Sequence, residues 1–168
     1  MGDLRIVRAG PERIDELEPL TRDLHAHHLT VDPDIPGIPP RDADEWWAIR
    51  RGRYAEWLDH EGAFIVLAED DEHGPVGYAL VSFHERDDSH ATGERFAELH
   101  SLAVSEDLRG RGIGGQLLRA VYREVRAAGV EEMMIGVLAT NEAAMRLYER
   151  EGFMPWVVLT FGKVPEVD

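Results

Sequence analysis

The chain has 168 residues, 43% of them hydrophobic and none of them cysteine, which suits one globular domain and excludes disulfides, thiolate nucleophiles and thiolate metal ligands. The formal net charge of −15 argues against nucleic acid as a partner and is compatible with a cationic acceptor such as an amine. No apolar run reaches the about 18 residues of a membrane span and no signal region is present, so we expect a cytoplasmic protein without a membrane partner.

The first third of the chain predicts one strand and two helices. Alternating charged and apolar residues over Leu4 to Val7 indicate the strand. Pro11 suits the first turn of a helix that reaches about His28, and its apolar residues recur at helical spacing. Four prolines exclude regular structure over Val31 to Pro40, and Asp42 or Asp44 can cap a second helix through Leu58.

The rest of the chain predicts three consecutive strands followed by alternating helices and strands. The three strands are Phe64 to Ala68, Val76 to His84 and, after a polar loop from Glu85 to Gly93, Phe96 to Val104. A helix from Gly112 to Ala128 and a strand from Met133 to Leu138 follow. The last two elements are a helix from Asn141 to Arg150 and a strand from Trp156 to Phe161. The order is β-α-α-β-β-β-α-β-α-β. It predicts an α/β fold with a mixed sheet, in which the meander is antiparallel and the strand pair around the third helix is parallel.

A glycine-rich turn between the third meander strand and the following helix is the strongest functional signal. It consists of Arg109, Gly110, Arg111, Gly112, Ile113, Gly114 and Gly115. Such a turn directs free backbone N–H groups toward one point, and the helix dipole adds positive potential there. The sequence therefore predicts a phosphate site.

The spacing of these glycines also fits G-x-G-x-x-G, the dinucleotide fingerprint. However, Glu131 and Glu132 precede the next strand, whereas the fingerprint expects an acidic residue at the end of that strand. No G-x-x-x-x-G-K-[ST] is present, which disfavours an ATP or GTP loop. A nucleotide-dependent dehydrogenase thus remains only as an alternative.

A set of spaced motifs carries a family resemblance. These are Leu102-Ala103-Val104, then Arg109-x-x-Gly112-x-Gly114, then Asn141, then Leu147-Tyr148-x-x-x-Gly152-Phe153. Together they resemble the GNAT superfamily of acetyl-CoA-dependent N-acetyltransferases. The resemblance implies the GNAT-like acyltransferase fold, acetyl-CoA as cosubstrate and acetyl transfer to an amine.

The resemblance also assigns roles in acetyl-CoA binding. The loop from Arg109 to Gly115 would hold the pyrophosphate, although the two arginines are equally explained as solvated surface residues. The strand end, Leu102 to Val104, would pair its backbone with the pantetheine arm, splay from the next strand and stabilise the oxyanion through an amide. Asn141 would bond the pantetheine amides, and a plain helix N-cap is the alternative.

Tyr148 and Glu98 are the catalytic residues that the resemblance implies. Tyr148 matches a tyrosine that protonates the departing thiolate, and core packing is its alternative. Glu98 matches a carboxylate that deprotonates the amine directly or through water. Strand periodicity places Glu98, His100 and Leu102 on one face, which makes His100 a rival base, and Glu94 is a third candidate.

Other residues suggested sites that the sequence does not favour. His25, His27 and His28 do not share one helix face, so no metal site is expected from them.

We expect an N-acetyltransferase that acts on a small-molecule or peptide amine by direct attack; a non-catalytic acyl-CoA sensor is the alternative. Many members of the resembled family have two strands after Gly152-Phe153, where this chain has room for one. The acceptor pocket is then either more open or completed by a partner subunit in a homodimer.

Overall fold

The computed structural model describes residues 3–32, 34–85 and 93–164. Within these residues the strands and α-helices are β1 Leu4–Ala9, α1 Glu18–Val31, α2 Ala43–Leu58, β2 Phe64–Asp70, β3 Gly74–Glu85, β4 Arg95–Val104, α3 Ile113–Ala127, β5 Met133–Ile135 and α4 Glu142–Arg150. Two 3-10 helices, Pro11–Leu17 and Glu106–Leu108, precede α1 and α3. Residues 86–92 of the expected polar loop, and one proline of the expected proline-rich loop, lie outside the described residues.

One sheet with the strand order β1-β2-β3-β4-β5 forms the centre of the molecule. Neighbouring strands from β1 to β4 are antiparallel, and β4 and β5 are parallel. This arrangement confirms the predicted mixed sheet with its antiparallel meander and the parallel pair on either side of α3.

Helices cover both faces of the sheet, so the core has two layers. One layer lies between the sheet and α3 and includes Phe64, Val66, Val81, Leu99, Leu117, Leu118 and Val121. The other lies between the sheet and the α1–α2 pair and includes Leu17, Leu24, Tyr54, Ile65, Leu67, Tyr78 and Leu80. Because helices cover both faces of the sheet, nearly all residues of β2 and most residues of β3 are buried.

The start of the first helical segment differs from the sequence expectation. The first helical segment begins as a 3-10 helix at Pro11, and α1 starts only at Glu18, directly before Pro19. A proline fits the first turn of an α-helix because its missing N–H has no partner there in any case. Asp42 caps α2 as expected, since its carboxylate accepts a hydrogen bond of 2.8 Å from the Glu45 N–H.

The predicted last strand, Trp156 to Phe161, is wrong. The structure has no regular secondary structure from residue 153 to 164, and Val158 and Leu159 are 83% and 92% exposed. A strand needs a neighbour whose backbone groups complete its hydrogen bonds. The nearest edge in sequence, β5, ends at Ile135 instead of continuing to Leu138 as predicted, so it offers only three residues for pairing.

No helix in the described ranges combines the length and the apolarity that a bilayer span requires.

Candidate functional site

The glycine-rich loop leads into the N-terminus of α3, as the sequence predicts. Gly110 and Gly112 have positive φ angles of 75° and 78°, a conformation that other residues rarely adopt. Gly112 is the N-cap of α3, and no side chain caps this helix end within the described ranges. The N–H groups of the first turn, from Ile113 to Gly115, therefore have no side-chain cap there, and such free N–H groups at a helix N-terminus suit an anion.

The two arginines of this loop are exposed, and one of them ties the loop to β4. The Arg109 Nε donates a hydrogen bond of 3.2 Å to the carbonyl oxygen of Val104, the last residue of β4. Arg109 and Arg111 are both exposed to solvent. Their position at an uncapped helix N-terminus adds positive charge where a phosphate would bind.

Strand β4 contains a bulge in front of this loop. Leu80 of β3 pairs with Ser101, whereas the next residue, Val81, pairs with Leu99, so His100 is an extra residue in β4. A bulge of this kind reverses which side chains face each layer. Leu102 therefore packs against the α3 layer, and the expectation that Leu102 shares a face with Glu98 and His100 is wrong.

Strands β4 and β5 also separate, as the resemblance implies. Their pairing is confined to Ala97–Leu99 against Met133–Ile135. From His100 to Val104, β4 has no neighbour on this side within the described part of the chain. The backbone of Leu102, Ala103 and Val104 is thus available to an extended ligand that lies between the two strands.

Four polar side chains meet on the opposite face, where α2 ends. The Glu98 carboxylate lies 3.4 Å from His84 Nε2 and 3.5 Å from His100 Nδ1. Ser82 Oγ lies 2.7 Å from His84 Nε2 and 2.6 Å from His100 Nε2. Ser82 and His84 lie on β3, and Glu98 and His100 lie on the adjacent strand β4. The strand register brings them together, since Ser82 is paired with Glu98.

The burial of the cluster distinguishes the rival bases. The side chain of His100 is 4% exposed, whereas those of Glu98 and His84 are 28% and 24% exposed. The Trp57 ring stacks on His100 with the ring centroids 3.7 Å apart. Burial, followed by the charges of neighbouring histidines and Arg50, lowers the pKa of His100 to about 3, so His100 is a weak proton acceptor at neutral pH.

Arg50 of α2 forms hydrogen bonds with two residues at the bulge. Its Nη2 donates to the His100 carbonyl oxygen at 3.4 Å and to Ser101 Oγ at 3.2 Å. The guanidinium lies 5.3 to 5.5 Å from the centroids of three aromatic rings, those of Trp46, Tyr54 and Trp57. Arginine, unlike lysine, can stack on aromatic rings and donate directed hydrogen bonds at the same time. Arg50 therefore connects helix α2 to the bulge of β4.

Helix α4 carries the two remaining predicted site residues. Asn141 is buried and its Oδ1 accepts a hydrogen bond of 3.1 Å from the Ala144 N–H, so it is the N-cap of α4. The cap uses the side-chain oxygen of Asn141, while its amide NH2 group is a donor that this hydrogen bond does not use. Tyr148 packs against the α3 layer, and burial raises the pKa of its hydroxyl to about 12.

The sequence did not reveal His84 or Ser82 as site residues. Both lie on β3, far from the glycine loop in sequence, and only the register of the β3–β4 hairpin brings them to Glu98. Of the three α1 histidines, His25 is bonded to the Arg41 carbonyl oxygen at 3.0 Å and stacks on Trp46. The third base candidate, Glu94, is exposed and precedes β4.

Comparison with known proteins agrees with the geometry of the loop and the sheet. The profile of the Acetyltransferase (GNAT) family matches residues 21–153. The chain belongs to this family. Among solved structures, the GNAT fold of this chain resembles aminoglycoside N-acetyltransferase AAC(6')-Iy in complex with CoA, with a TM-score of 0.70, 18% identity and coverage of 98% and 96% of the two chains. It also resembles a GCN5-related N-acetyltransferase from Ralstonia eutropha, with a TM-score of 0.69, 16% identity and coverage of 96% and 99%.

Curated GNAT relatives are more similar in sequence and differ in what they act on. A mycothiol acetyltransferase from Corynebacterium aurimucosum is 33% identical over 112 residues, which are 62% of this chain and 34% of that protein. An L-methionine sulfoximine/L-methionine sulfone acetyltransferase from Pseudomonas aeruginosa is 34% identical over 115 residues, 64% of each chain. The chain thus spans a third of the length of the first relative.

Proposed function

We propose that the chain is an N-acetyltransferase that transfers an acetyl group from acetyl-CoA to a primary amine by direct attack. The observation that carries this proposal is the uncapped N-terminus of α3, which the glycine-rich loop connects to the bulged strand β4. Strand β4 separates from β5 beyond Leu99. A pyrophosphate at the loop from Arg109 to Gly115 would leave the arm of the cosubstrate to run between the strands. Acetyl-CoA is the cosubstrate that family membership supports.

The proposed reaction needs one proton acceptor and one proton donor. The amine nitrogen attacks the thioester carbonyl, the new C–N bond forms, the C–S bond breaks, and the amine proton leaves. Glu98 accepts this proton directly or through water, because it is more exposed than His100 and lies beside the bulge. A backbone N–H of the segment from Leu102 to Val104 would stabilise the oxyanion.

Tyr148 is the proposed donor to the departing thiolate. Its pKa of about 12 keeps the hydroxyl protonated at neutral pH, so that it can donate. The absence of cysteine from the chain fits direct transfer in a ternary complex, since no thiol is available to carry the acetyl group.

The acceptor is proposed as an amine-bearing small molecule or peptide. The net charge of −15 favours the approach of cationic amines through long-range attraction. Aminoglycosides, amino-acid derivatives, small polyamines and peptide N-termini all belong to this class.

Binding of acetyl-CoA is the first test. Calorimetry should show one acetyl-CoA per chain, and absence of binding at about millimolar ligand would reject the proposal.

The proposed base is tested by substitution. With an accepted amine, Glu98→Gln should lower kcat on the order of 100-fold. Glu94→Gln is the matched control and should leave kcat unchanged; an equal loss in both variants would remove Glu98 from the proposed role.

A further inference from the structure

The cluster at the end of α2 contains three side chains that commonly bind metal ions. The ligand atoms of His84, Glu98 and His100 all lie within 4.8 Å of one another. The two shortest separations between histidine nitrogen and carboxylate oxygen are 3.4 and 3.5 Å. Atoms that share a tetrahedral metal at about 2.0–2.1 Å lie about 3.3 Å apart, so both contacts of Glu98, one through each carboxylate oxygen, are close to the separation of two ligands. The ligand nitrogens of the two histidines lie within 4.8 Å of each other.

The surroundings of His100 match those of a histidine ligand. Its Nδ1 faces Glu98, and its other nitrogen, Nε2, lies 2.6 Å from Ser82 Oγ. Histidine ligands regularly donate their second ring N–H to such a neighbour, which fixes the ring orientation and the tautomer. The stacked Trp57 ring restricts the imidazole further.

We propose that His84, Glu98 and His100 form a binding site for a divalent transition-metal ion of the zinc class. Two imidazoles and one carboxylate favour zinc and its neighbours over Mg²⁺ or Ca²⁺, which prefer oxygen ligands only. Glu98 and His84 are about a quarter exposed, so an ion can enter from solvent. On binding, His84 Nε2 exchanges its 2.7 Å contact with Ser82 Oγ for the metal.

Metal binding at this position has a consequence that rests on the proposed function. A carboxylate that coordinates a cation is no longer free to accept the proton of the acceptor amine. Zinc would therefore inhibit acetyl transfer, its effect would be overcome by the amine and by a chelator, and acetyl-CoA would not compete with it. The site thus links the activity to the supply of free metal.

A second group of potential ligands, Asp70, Glu72 and His73, provides the control. It lies at the turn between β2 and β3, and Glu72 and His73 are exposed. Asp70 Oδ1 already accepts a hydrogen bond of 3.0 Å from the Glu72 N–H and lies 2.7 Å from His73 Nδ1. Two of its three side chains are exposed, and the contacts within the turn already engage one Asp70 oxygen and His73, so His73→Ala serves as the matched variant.

The test measures zinc binding to the full, metal-free chain by calorimetry and cobalt binding by visible absorption. We expect one ion per chain and the absorption bands of a low-symmetry cobalt site. His84→Ala and Glu98→Gln should each weaken zinc at least tenfold, Ser82→Ala should weaken it about tenfold, and His73→Ala should bind as the unaltered chain does. Thermal melting without metal verifies that each variant folds, and His84→Gln replaces His84→Ala if that variant does not fold.

Three results would overturn the proposal: no zinc binding, binding that survives both His84→Ala and Glu98→Gln, or binding that His73→Ala removes. The failure of this inference is separable from the failure of the proposed function, because calorimetry requires no turnover. A chain that binds zinc and transfers no acetyl group refutes only the function. A chain that transfers acetyl and binds no zinc refutes only the metal site.

Discussion

Gly112 starts α3 in the left-handed conformation, so its backbone geometry decides where the first N–H groups of the helix point. A Cβ atom at this position would meet no other atom within 4 Å, but a φ of 78° strains any other residue. Gly112→Ala should rotate the loop amides away from the pyrophosphate and weaken acetyl-CoA about tenfold, which corresponds to about 1.4 kcal/mol. Calorimetry with acetyl-CoA measures this loss.

Gly129 offers a matched control for Gly112. It follows the C-terminus of α3 with a φ of 75° and has equally open surroundings. Gly129→Ala should cost similar stability, read as a shift in melting temperature, and leave the affinity for acetyl-CoA unchanged. Equal affinity losses in the two variants would show that the fold, and not the direction of the loop amides, controls binding.

Tyr148 provides the second prediction at this scale. Since burial raises its pKa to about 12, the hydroxyl stays protonated through the neutral and mildly alkaline range and can act as an acid there. Tyr148→Phe should lower kcat on the order of 100-fold with little change in acetyl-CoA affinity. Tyr122→Phe is the control, because Tyr122 also packs beside the Phe153 ring but has no proposed role. Unchanged turnover in Tyr148→Phe would reject the acid role.

At the scale of elements, local patterns explain how much of the fold the sequence predicts. The hairpin of β2 and β3, the helix after the glycine loop and the caps of α2 and α4 each depend on neighbouring residues, and all are found. The bulge at His100 depends on how β3 and β4 are paired, so strict alternation placed Leu102 on the wrong face. His84 and Ser82 join the site through the same long-range register, which a single sequence does not display.

The C-terminal segment, residues 154–164, carries the prediction for the oligomeric state. Its large apolar side chains are exposed: Met154, Trp156, Val157, Val158, Leu159, Phe161 and Val164. An exposed apolar patch of this kind typically marks a protein interface. We predict a homodimer that buries this segment, and light scattering after gel filtration should show that Leu159→Glu dissociates it. Ile49→Glu, at an exposed apolar residue of α2, should remain dimeric; a monomeric unaltered chain would contradict the prediction.

At the scale of the whole molecule, histidines buried in their neutral form make stability depend on pH. Burial, and then Arg50, His27 and His25, lower the pKa of His28 to about 4, while Asp32 opposes the shift. In the unfolded chain His28 becomes protonated near pH 6.5, whereas in the folded chain it stays neutral until the pH approaches about 4. The stability is therefore fully present above about pH 6.5 and is lost as the pH falls toward about 4.

Thermal unfolding measures this dependence directly. The melting temperature should fall between about pH 7 and about pH 5, and His28→Gln should reduce the fall. Between about pH 7 and about pH 9 the difference between the two proteins should stay constant, because folded and unfolded His28 are both neutral there. An equally steep acid loss in His28→Gln would exclude His28 as a contributor.

In the proposed function, the loop before α3 and the cluster beside the bulge of β4 together perform acetyl transfer to an amine. The most direct test incubates the metal-free chain with acetyl-CoA and a panel of aminoglycosides, amino-acid derivatives, polyamines and peptides, and measures the release of free CoA. We predict CoA release that depends on one class of amine, with a product that mass spectrometry identifies as its N-acetyl derivative. Binding of acetyl-CoA without CoA release for any amine would contradict the claim and indicate a non-catalytic acyl-CoA sensor.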